Sequence, residues 1–273
     1  MTDRITAINS TRNPRIKSLV QLRSKRHRDG SGLFLIEGMK ELLLAIDNEI
    51  TVDEIYYRKS SAHADTIGSL IHRRGCVATE FYEVAGGAFD KISYRGGSSE
   101  IVAVAKKPFR SLAEMPSGGN PVYIVMDAVE KPGNLGAVLR SADGAGVTGV
   151  IASDERTDLY NPNVIRASLG TIFTVPTVAA TADEAVGWLR SKGIRIIVTT
   201  PAADTLYTDA DLTGATAVVI GSEDRGVRRE WLEAADLTVR IPMNGSADSL
   251  NVAQSATILV YEALRQRTAV GGA

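Results

Sequence analysis

The stretch PVYIVMDAVEKPGNLGAVLRSADGAGVTGVIAS, residues 121–153, contains the pattern that decides the fold. The apolar run at 121–129 predicts a buried strand, the mostly small and apolar residues at 135–146 predict a helix, and GVIAS at 149–153 predicts a second buried strand. Continuous apolar strands that alternate with helices are typical of a mostly parallel sheet covered on both faces. The pattern therefore predicts an α/β fold.

The same alternation continues to the end of the chain. Further strands are predicted at 173–178, 195–200, 215–221 and 237–243, and further helices at 164–170, 183–193, 227–235 and 250–267.

The part of the chain before residue 121 has a different organisation. It contains short strand-like runs bounded by glycine and serine, and a helix-like stretch within residues 5–28. Three prolines and a Gly-Gly pair in residues 106–121 favour a linker. We predict an N-terminal domain over 1–107, a linker over 108–120 and a second domain over 121–273.

The composition excludes several classes of protein. A single cysteine, Cys76, can form neither an internal disulfide nor a multi-cysteine zinc site. The three histidines, His27, His63 and His72, form no ligand cluster, and we expect no metal. No apolar run reaches the roughly 18–20 residues of a membrane span, and the first residues lack the apolar core of a secretory signal. We expect a soluble, cytoplasmic protein.

The charge is unevenly distributed along the chain. The net charge is −1, but residues 4–28 contain eight basic residues and no acidic one, which leaves −9 on the remainder. A cationic segment attached to an acidic body is compatible with binding of a polyanion, and equally with a solvated basic helix face that has no ligand.

A glycine motif near the middle of the chain has the wrong context for its usual function. Gly144, Gly146 and Gly149 form the GxGxxG pattern of dinucleotide-binding proteins, which would indicate a dehydrogenase. That motif must follow a strand and begin a helix, whereas here it follows a predicted helix and precedes a strand. We expect these glycines to end a helix and turn the chain.

Polar residues follow three of the predicted strands, where α/β enzymes bind ligands. Asn134 stands at a predicted helix N-cap, and Arg140 lies in a predicted largely buried helix, where it needs an anionic partner. Glu223 lies between two glycines, Ser249 stands at the N-cap of the last helix, and Asn251 lies just inside that helix. Each of these residues also has a purely structural explanation, such as helix capping or a favourable interaction with a helix dipole.

Together, the three segments resemble the signature motifs of the SPOUT superfamily, specifically its TrmH/SpoU branch. The matching text is NLGAVLRSADGAG, then GSEDRGV, then IPMNGSADSLNVAQSATILVYEALRQR, within residues 121–267. The segment NPRIKSLVQLRSKRHRDGSGLFLIEG is similar to the substrate-binding domain that precedes the catalytic domain in many members. The resemblance implies a catalytic domain with a deep C-terminal trefoil knot over roughly 195–267, and a smaller, L30e-like α/β domain before it.

The resemblance also implies an activity and a set of site residues. Members transfer a methyl group from S-adenosylmethionine to a ribose 2′-hydroxyl of RNA. By position, the catalytic residues would be Asn134, Arg140, Glu223, Ser249 and Asn251. The cofactor would be bound by Thr199, Thr200, Gly221, Ile241, Met243 and Leu250. Arginine is a poor general base, so we expect Arg140 to bind phosphate and stabilise developing negative charge.

The resemblance gives the basic N-terminal segment an RNA-binding role. Its proposed phosphate contacts are Arg12, Arg15, Lys17, Arg23, Lys25, Arg26 and Arg28. Large-subunit (23S) ribosomal RNA is the preferred substrate, with transfer RNA as the alternative substrate. The alternative to a methyltransferase is a non-catalytic RNA-binding protein on the same fold. The family further implies a homodimer built on the C-terminal domain. Five aromatic residues of the N-terminal domain could offer stacking surfaces to RNA bases, but we expect most of them to lie in its core: Phe34, Tyr56, Tyr57, Phe81 and Tyr82.

Overall fold

The structure is a computed structural model that describes residues 5–59, 64–71, 76, 78–94, 99–154 and 158–271. Arg4, His63 and His72 lie outside the described residues. The chain forms two compact units, Met1–Phe109 with Tyr160–Thr174, and Arg110–Leu159 with Val175–Ala273. Within the described ranges, no helix combines the length and the apolar character that a membrane span requires.

The first unit contains a five-stranded mixed sheet. Its strands, in the order β1-β4-β3-β5-β2, are β1 (Ile5–Ile8), β2 (Leu33–Glu37), β3 (Val52–Arg58), β4 (Glu80–Val84) and β5 (Ile101–Lys106). The helices of this unit are α1 (Pro14–Gln21), α2 (Lys25–Ser31), α3 (Met39–Asp47), α4 (Ala64–Leu70), α5 (Gly86–Ile92) and α7 (Pro162–Ala167).

The basic segment contains the helix-like stretch that was predicted, as α1, and the residues around that helix are also folded. It contains β1 and two short helices, because Asn13 caps α1 through Arg15 N–H and Ser24 caps α2 through His27 N–H. Pro14 occupies the first position of α1, where its missing N–H costs nothing. The segment is therefore part of a folded unit and not a free arm.

The aromatic side chains of the first unit lie in its core, as predicted. All five that were named are buried, and the rings of Tyr56 and Tyr82 stack with centroids 4.7 Å apart.

The second unit contains a seven-stranded sheet in which every pairing is parallel. The order is β10-β12-β9-β11-β6-β7-β8, with β6 (Val122–Asp127), β7 (Gly149–Ser153), β8 (Thr177–Ala180), β9 (Arg195–Thr199), β10 (Thr205–Leu206), β11 (Thr216–Ile220) and β12 (Leu237–Arg240). Its helices are α6 (Pro132–Gly144), α8 (Ala182–Ser191), α9 (Arg229–Ala234) and α10 (Val252–Gly271). The α/β prediction is confirmed.

Residues 160–174 depart from the predicted alternation. They group with the first unit, where the Phe173 ring lies 6.1 Å from that of Phe34, and the strand predicted at 173–178 begins only at Thr177. Leu169 and Gly170 both have positive φ, at 53° and 86°, so the chain turns after α7 and does not extend directly into a strand.

The predicted linker is partly fixed on the second unit. Ser111 and Glu114 form a capping box around a short 3₁₀ turn, and Met115 is buried in the core with Tyr123 and Val125. The boundary between the two units falls between Phe109 and Arg110, and Met115 attaches residues 111–116 to the second unit.

The GxGxxG glycines have the structural function that their context predicted. Gly144 ends α6, Gly146 has a φ of 65° in the turn that follows, and Gly149 begins β7. These positions give no helix N-terminus for a phosphate, and the dehydrogenase interpretation is wrong.

Candidate active site

Three loops converge at the carboxyl ends of neighbouring strands of the second unit. Asn134 lies in the first turn of α6 after β6, Glu223 follows β11, and Asn251 lies between β12 and α10. Because β12, β9, β11 and β6 are adjacent and parallel, the loops after them meet at one edge of the sheet. Asn134 was predicted to be the N-cap of α6. That prediction is wrong, because the helix already begins at Pro132 and Lys131 is the N-cap.

Asn134, Glu223 and Asn251 form a hydrogen-bonded triad. Glu223 Oε1 accepts from Asn134 Nδ2 at 3.0 Å and from Asn251 Nδ2 at 2.7 Å. Asn251 Nδ2 also donates to Asn134 Oδ1 at 3.1 Å, which closes the triangle. Lys131 Nζ donates to the other oxygen of Glu223 and forms an ion pair with it. Residues separated by up to 117 positions in the chain are thereby fixed relative to one another.

The donors around Glu223 determine its protonation state. The hydrogen bond from Lys131, and after it the one from Asn134, lowers the pKa of Glu223 below its ordinary value. The same contact raises the pKa of Lys131. Glu223 is therefore a carboxylate near neutral pH, able to accept hydrogen bonds but not to donate a proton.

The start of α10 differs from the prediction. The helix begins at Val252, and Asn251 is its capping residue, because its Oδ1 accepts from Ala253 N–H at 2.9 Å. Ser249 was predicted as the N-cap, but it lies exposed in the preceding loop. Asn251 thus uses its oxygen for the helix and its nitrogen for the triad.

A cavity of about 280 Å³ borders the triad on the Glu223 side. Of the residues predicted to bind cofactor or substrate, seven line it together with Glu223: Thr199, Thr200, Gly221, Ile241, Met243, Ser249 and Leu250.

Two features of this cavity indicate a binding site for a polar ligand. Thr199 Oγ1 is buried and has no hydrogen-bond partner, so it is available to a ligand. At Gly221 a Cβ would overlap the backbone of Gly226 and Val227, so only glycine allows the loop to close on itself. Ser222 and Gly226 then exchange backbone hydrogen bonds of 3.1 and 2.9 Å, which fixes the loop that carries Glu223.

Arg140 has a different environment from the one predicted. It is exposed on α6, lines none of the cavities described around Glu223, and has no hydrogen bond or ion pair to the described residues. The prediction that it is largely buried is wrong, because its small apolar neighbours pack on the sheet and α10 while Arg140 points to the opposite face. The anionic partner predicted for it stays a prediction. Six residues separate it from Asn134, about 9 Å along the helix axis.

An ion-pair cluster fixes the far end of the Glu223 loop. Arg228 Nε and Nη2 donate to Asp127 Oδ1 at 2.7 and 2.5 Å, and Nη2 also contacts Asp154 Oδ2 at 2.5 Å. Arg228 N–H donates to Asp127 Oδ2 at 2.8 Å. Asp127, at the end of β6, is fully buried, and its hydrogen bond with Arg228 raises the pKa of that arginine. This cluster was not predicted, and the one signal for it in the sequence was Asp127, an acidic residue at the end of an apolar strand.

The basic residues of the first unit differ in their availability to a ligand. Arg28 was predicted to contact RNA, but it is 1% exposed and donates to the carbonyls of Leu22 and Arg23 at 2.9 and 2.7 Å. Arg23 is half-buried and donates to two carbonyls, and Arg15 pairs with two carboxylates. Arg28 is thus a structural residue, and the prediction for it is wrong. The remaining predicted contacts are exposed: Arg12, Lys17, Lys25 and Arg26.

Comparison with known proteins assigns both units. Residues 121–261 match the SpoU rRNA Methylase family, and this match covers more than half of the chain. The chain belongs to the SpoU rRNA methylase family. Residues 13–103 of this SpoU protein match the MRM3-like substrate binding domain. The resemblance drawn from the three motifs is confirmed.

Relatives of this SpoU protein match along nearly its whole length. It is 32% identical to the 23S rRNA (uridine(2479)-2'-O)-methyltransferase of Streptomyces viridochromogenes, with 97% of this chain and 92% of that protein covered. It is 30% identical to the 23S rRNA (guanosine(2553)-2'-O)-methyltransferase RlmP of Bacillus subtilis, covering 93% and 97%. The crystal structure of the SpoU methyltransferase AviRb from Streptomyces viridochromogenes in complex with AdoMet superposes with a TM-score of 0.87, at 31% identity, covering 94% of this chain and 98% of that one.

Proposed function

We propose that this SpoU protein is an S-adenosylmethionine-dependent methyltransferase that modifies a ribose 2′-hydroxyl in 23S ribosomal RNA. The observation that carries the proposal is the triad of Asn134, Glu223 and Asn251 beside a ligand-sized cavity, at the strand ends of a SpoU catalytic unit. The relatives that match along nearly the whole chain are named as 23S rRNA 2'-O-methyltransferases, which favours ribosomal RNA over transfer RNA.

The residues around the cavity fit S-adenosylmethionine. Thr199 Oγ1 offers a buried polar atom without a partner, and the close packing of Gly221 on Gly226 holds closed the loop that lines the cavity. We assign cofactor binding to these two residues together with Thr200, Ile241, Met243 and Leu250, which line the same cavity. When bound, S-adenosylmethionine supplies a methyl group activated by its positively charged sulfur.

The triad supplies the orientation of the ribose. Glu223 and the two asparagines offer fixed acceptors and donors, with Ser249 at the rim, and such preorganised groups reduce the entropy that must be lost in positioning the hydroxyl. Arginine is a poor general base, so the role that we assign to Arg140 is to hold phosphate and to stabilise the negative charge that develops on the 2′-oxygen.

Arg140 also supports a homodimer. It lies on an exposed face of the second unit, and the same unit exposes three large apolar side chains on α10, Tyr261 at 46%, Leu264 at 38% and Val270 at 67%. Because Arg140 lines none of the cavities described around Glu223 in its own chain, we propose that two copies associate through α6 and α10 and that each Arg140 completes the site of its partner.

The domain organisation remains part of the proposal. We assign an L30e-like RNA-binding domain to 1–107, a connection to 108–120 and the catalytic domain to 121–273, with a trefoil knot over roughly 195–267. The family matches at 13–103 and 121–261 support these limits. Because ribosomal RNA is the proposed substrate, we also propose a cytoplasmic location.

The test combines cofactor binding with mapping of ribose methylation. Calorimetry is expected to show that the purified protein binds S-adenosylmethionine. Total RNA from cells that lack the gene is expected to lose one 2′-O-methyl mark, in 23S rRNA, and the purified protein should restore it. A lost mark in transfer RNA would change the substrate. Cofactor binding with every mark retained would favour a non-catalytic RNA-binding protein.

Gly221→Ala is expected to lower S-adenosylmethionine affinity at least tenfold, because the new methyl group displaces the backbone of Gly226 and opens the loop. Calorimetry measures the affinity. Gly187→Ala in α8 is the matched control, since a Cβ there meets nothing within 4 Å, and it should leave affinity unchanged. Equal affinities for the two variants would show that the loop does not need its close approach.

Glu223→Gln is expected to reduce both methyl transfer and stability, because it places an amide donor against the donors of Lys131, Asn134 and Asn251. The pKa of Glu223 is lower in the folded protein than the value of about 4.3 expected in the unfolded chain. Its stabilising contribution is therefore complete above that value and is lost as the pH falls through the folded-state pKa.

Thermal unfolding at several pH values tests this sign. The difference in melting temperature between the native protein and Glu223→Gln should stay constant from about pH 8 to about pH 5 and shrink only at lower pH. Glu230→Gln, at an exposed position in α9, controls for loss of one negative charge. A difference that already disappears near pH 6 would contradict the ionised triad.

A further inference from the structure

A second cavity lies entirely within the first unit, between helices α1 and α2 and the sheet. Its volume is about 450 Å³, within the range of roughly 300–1,000 Å³ that small-molecule sites occupy. Arg15, Ser18 and Leu22 line it from the α1 side, His27 from α2, and Glu54 from β3. None of these residues belongs to the catalytic unit.

Arg15 is held in this cavity in one orientation. It forms ion pairs with Glu54 and with Glu80, the latter at 3.2 Å, and its guanidinium lies over the ring of Tyr82, 4.6 Å from the centroid. Tyr56 donates from its hydroxyl to Glu54 Oε2 at 2.6 Å, and burial raises the pKa of Tyr56, so that it stays a donor. These contacts fix the guanidinium plane while its side chain remains 43% exposed.

A guanidinium fixed in this way is poorly suited to a phosphate and well suited to a base. Its charge is balanced by two carboxylates, which reduces its attraction for an anion. One face of the guanidinium is covered by the ring of Tyr82. The planar surface of an arginine is one of the platforms on which unstacked RNA bases lie. This environment favours a stacking role for Arg15 over the phosphate contact that the sequence predicts.

Among the remaining polar groups of the cavity, only the two carboxylates are purely acceptors when ionised, whereas Ser18, Gln21, His27 and Ser31 can also donate. The carboxylates of Asp53 and Glu54 line it, and Asp53 is only loosely paired, with Lys106 Nζ at 3.4 Å. Carboxylate oxygens accept hydrogen bonds from the exocyclic amino groups of adenine, cytosine or guanine. The exposed cations Arg12, Lys17 and Arg26 lie on the same α1–α2 segment and can attract the flanking phosphates.

We propose that this cavity binds one unpaired, amino-bearing nucleobase of the substrate RNA, stacked on Arg15 and read by Asp53 and Glu54. The inference rests on the proposed RNA substrate, since it names the element of that RNA which the first unit recognises. Sequence-specific recognition of RNA depends largely on such unstacked bases. The site would therefore select a loop or a bulge, at a distance from the methylated ribose.

The test measures binding of the full-length protein to two RNA hairpins with identical stems. One carries a loop of adenosines, and the other carries a loop of the same length without bases, so that the phosphates are the same. The native protein is expected to bind the adenosine loop about tenfold more tightly than the abasic loop, the size of a single stacking contact. Equal affinities would overturn the proposal.

Three variants distinguish the contribution of the base to RNA affinity from that of the phosphates. Ser18→Phe fills the cavity and leaves the ion pairs of Arg15 in place, and it should abolish the preference for adenosines. Arg15→Gln should abolish it too, with an unchanged dependence of affinity on salt. Lys17→Gln, on an exposed position of α1, should keep the preference while the salt dependence falls by about one phosphate contact.

The outcomes also separate this inference from the proposed function. If Arg15→Gln reduces the salt dependence as Lys17→Gln does, Arg15 contacts phosphate and the proposal fails. If Arg15→Gln does not fold, Ser18→Phe decides alone, and a retained adenosine preference in that variant overturns the proposal. Methyl transfer to 23S rRNA is measured separately, so loss of the base preference with transfer intact refutes only the nucleobase site.

Discussion

Arg140→Ala is expected to lower the rate of methyl transfer about 100- to 1,000-fold, the effect of removing one preorganised group that stabilises developing negative charge. The affinity for S-adenosylmethionine should stay the same, because Arg140 does not line the cavity of Thr199, Gly221 and Leu250. Single-turnover kinetics on 23S rRNA and calorimetry measure the two quantities. Lys192→Ala removes another exposed cation of the same unit and should change neither. Unchanged transfer in Arg140→Ala would remove Arg140 from the active site.

A mixing experiment determines which chain supplies Arg140. Arg140→Ala and Glu223→Gln proteins are each expected to be nearly inactive. If each Arg140 serves the partner's site, mixed dimers contain one complete site, and an equal mixture should recover about a quarter of native activity by random association of a symmetric dimer. If Arg140 serves its own chain, mixing restores nothing. This outcome would reject the shared site and leave the catalytic role of Arg140 to the single variant.

The convergence of the triad could be predicted because it depends on the order of strands and loops. Asn134, Glu223 and Asn251 each follow an apolar strand, and parallel strands bring their carboxyl ends to one edge of the sheet. The details at the loop ends could not be predicted, because several polar residues compete to cap one helix. At α10 the competition between Ser249 and Asn251 is decided by a hydrogen bond to Ala253.

The environments of the arginines could not be predicted, because charge alone does not distinguish a surface residue from a buried one. Arg28 lies in the same basic run as Lys25 and Arg26, yet two carbonyls of a neighbouring turn take its donors and bury it. For Arg140 the error runs in the opposite direction. Its small apolar neighbours indicated a buried residue, but the helix places it on the exposed face. In both cases, tertiary packing decides whether the arginine has a hydrogen-bond partner within the protein.

The ion pair of Asp127 and Arg228 shows the same limit over a longer distance. The two residues are 101 positions apart, so their contact exists only once β6 and the loop before α9 are in place. Arg228 ends the loop that begins at Gly221 and carries Glu223. The ion pair therefore anchors one end of that loop, and the close backbone contact between Gly221 and Gly226 fixes the other.

Asp127→Asn is expected to destabilise the protein by about 1–3 kcal/mol, the cost of leaving a buried polar group without a matching hydrogen-bond partner. Asp127 is fully buried and accepts three hydrogen bonds from Arg228, so the neutral amide removes one of the two charge partners of the guanidinium, leaves only Asp154, and places a donor against Arg228. Urea unfolding monitored through Trp231, which donates to Ser153 beside the cluster at 3.2 Å, measures the loss. Cofactor affinity should fall as well, because the Glu223 loop loses its anchor.

The control for Asp127→Asn is another ion pair of the same unit. Arg229 and Glu233 contact each other at 2.6 Å on the exposed surface of α9, with 87% and 61% of their side chains exposed. Solvent screens such a pair, and Glu233→Gln should cost no more than about 0.5 kcal/mol and leave cofactor affinity unchanged. If Asp127→Asn costs as little as Glu233→Gln, burial does not strengthen the pair. If it destabilises the protein but cofactor binding persists, the ion pair stabilises the fold and does not position the loop of Glu223.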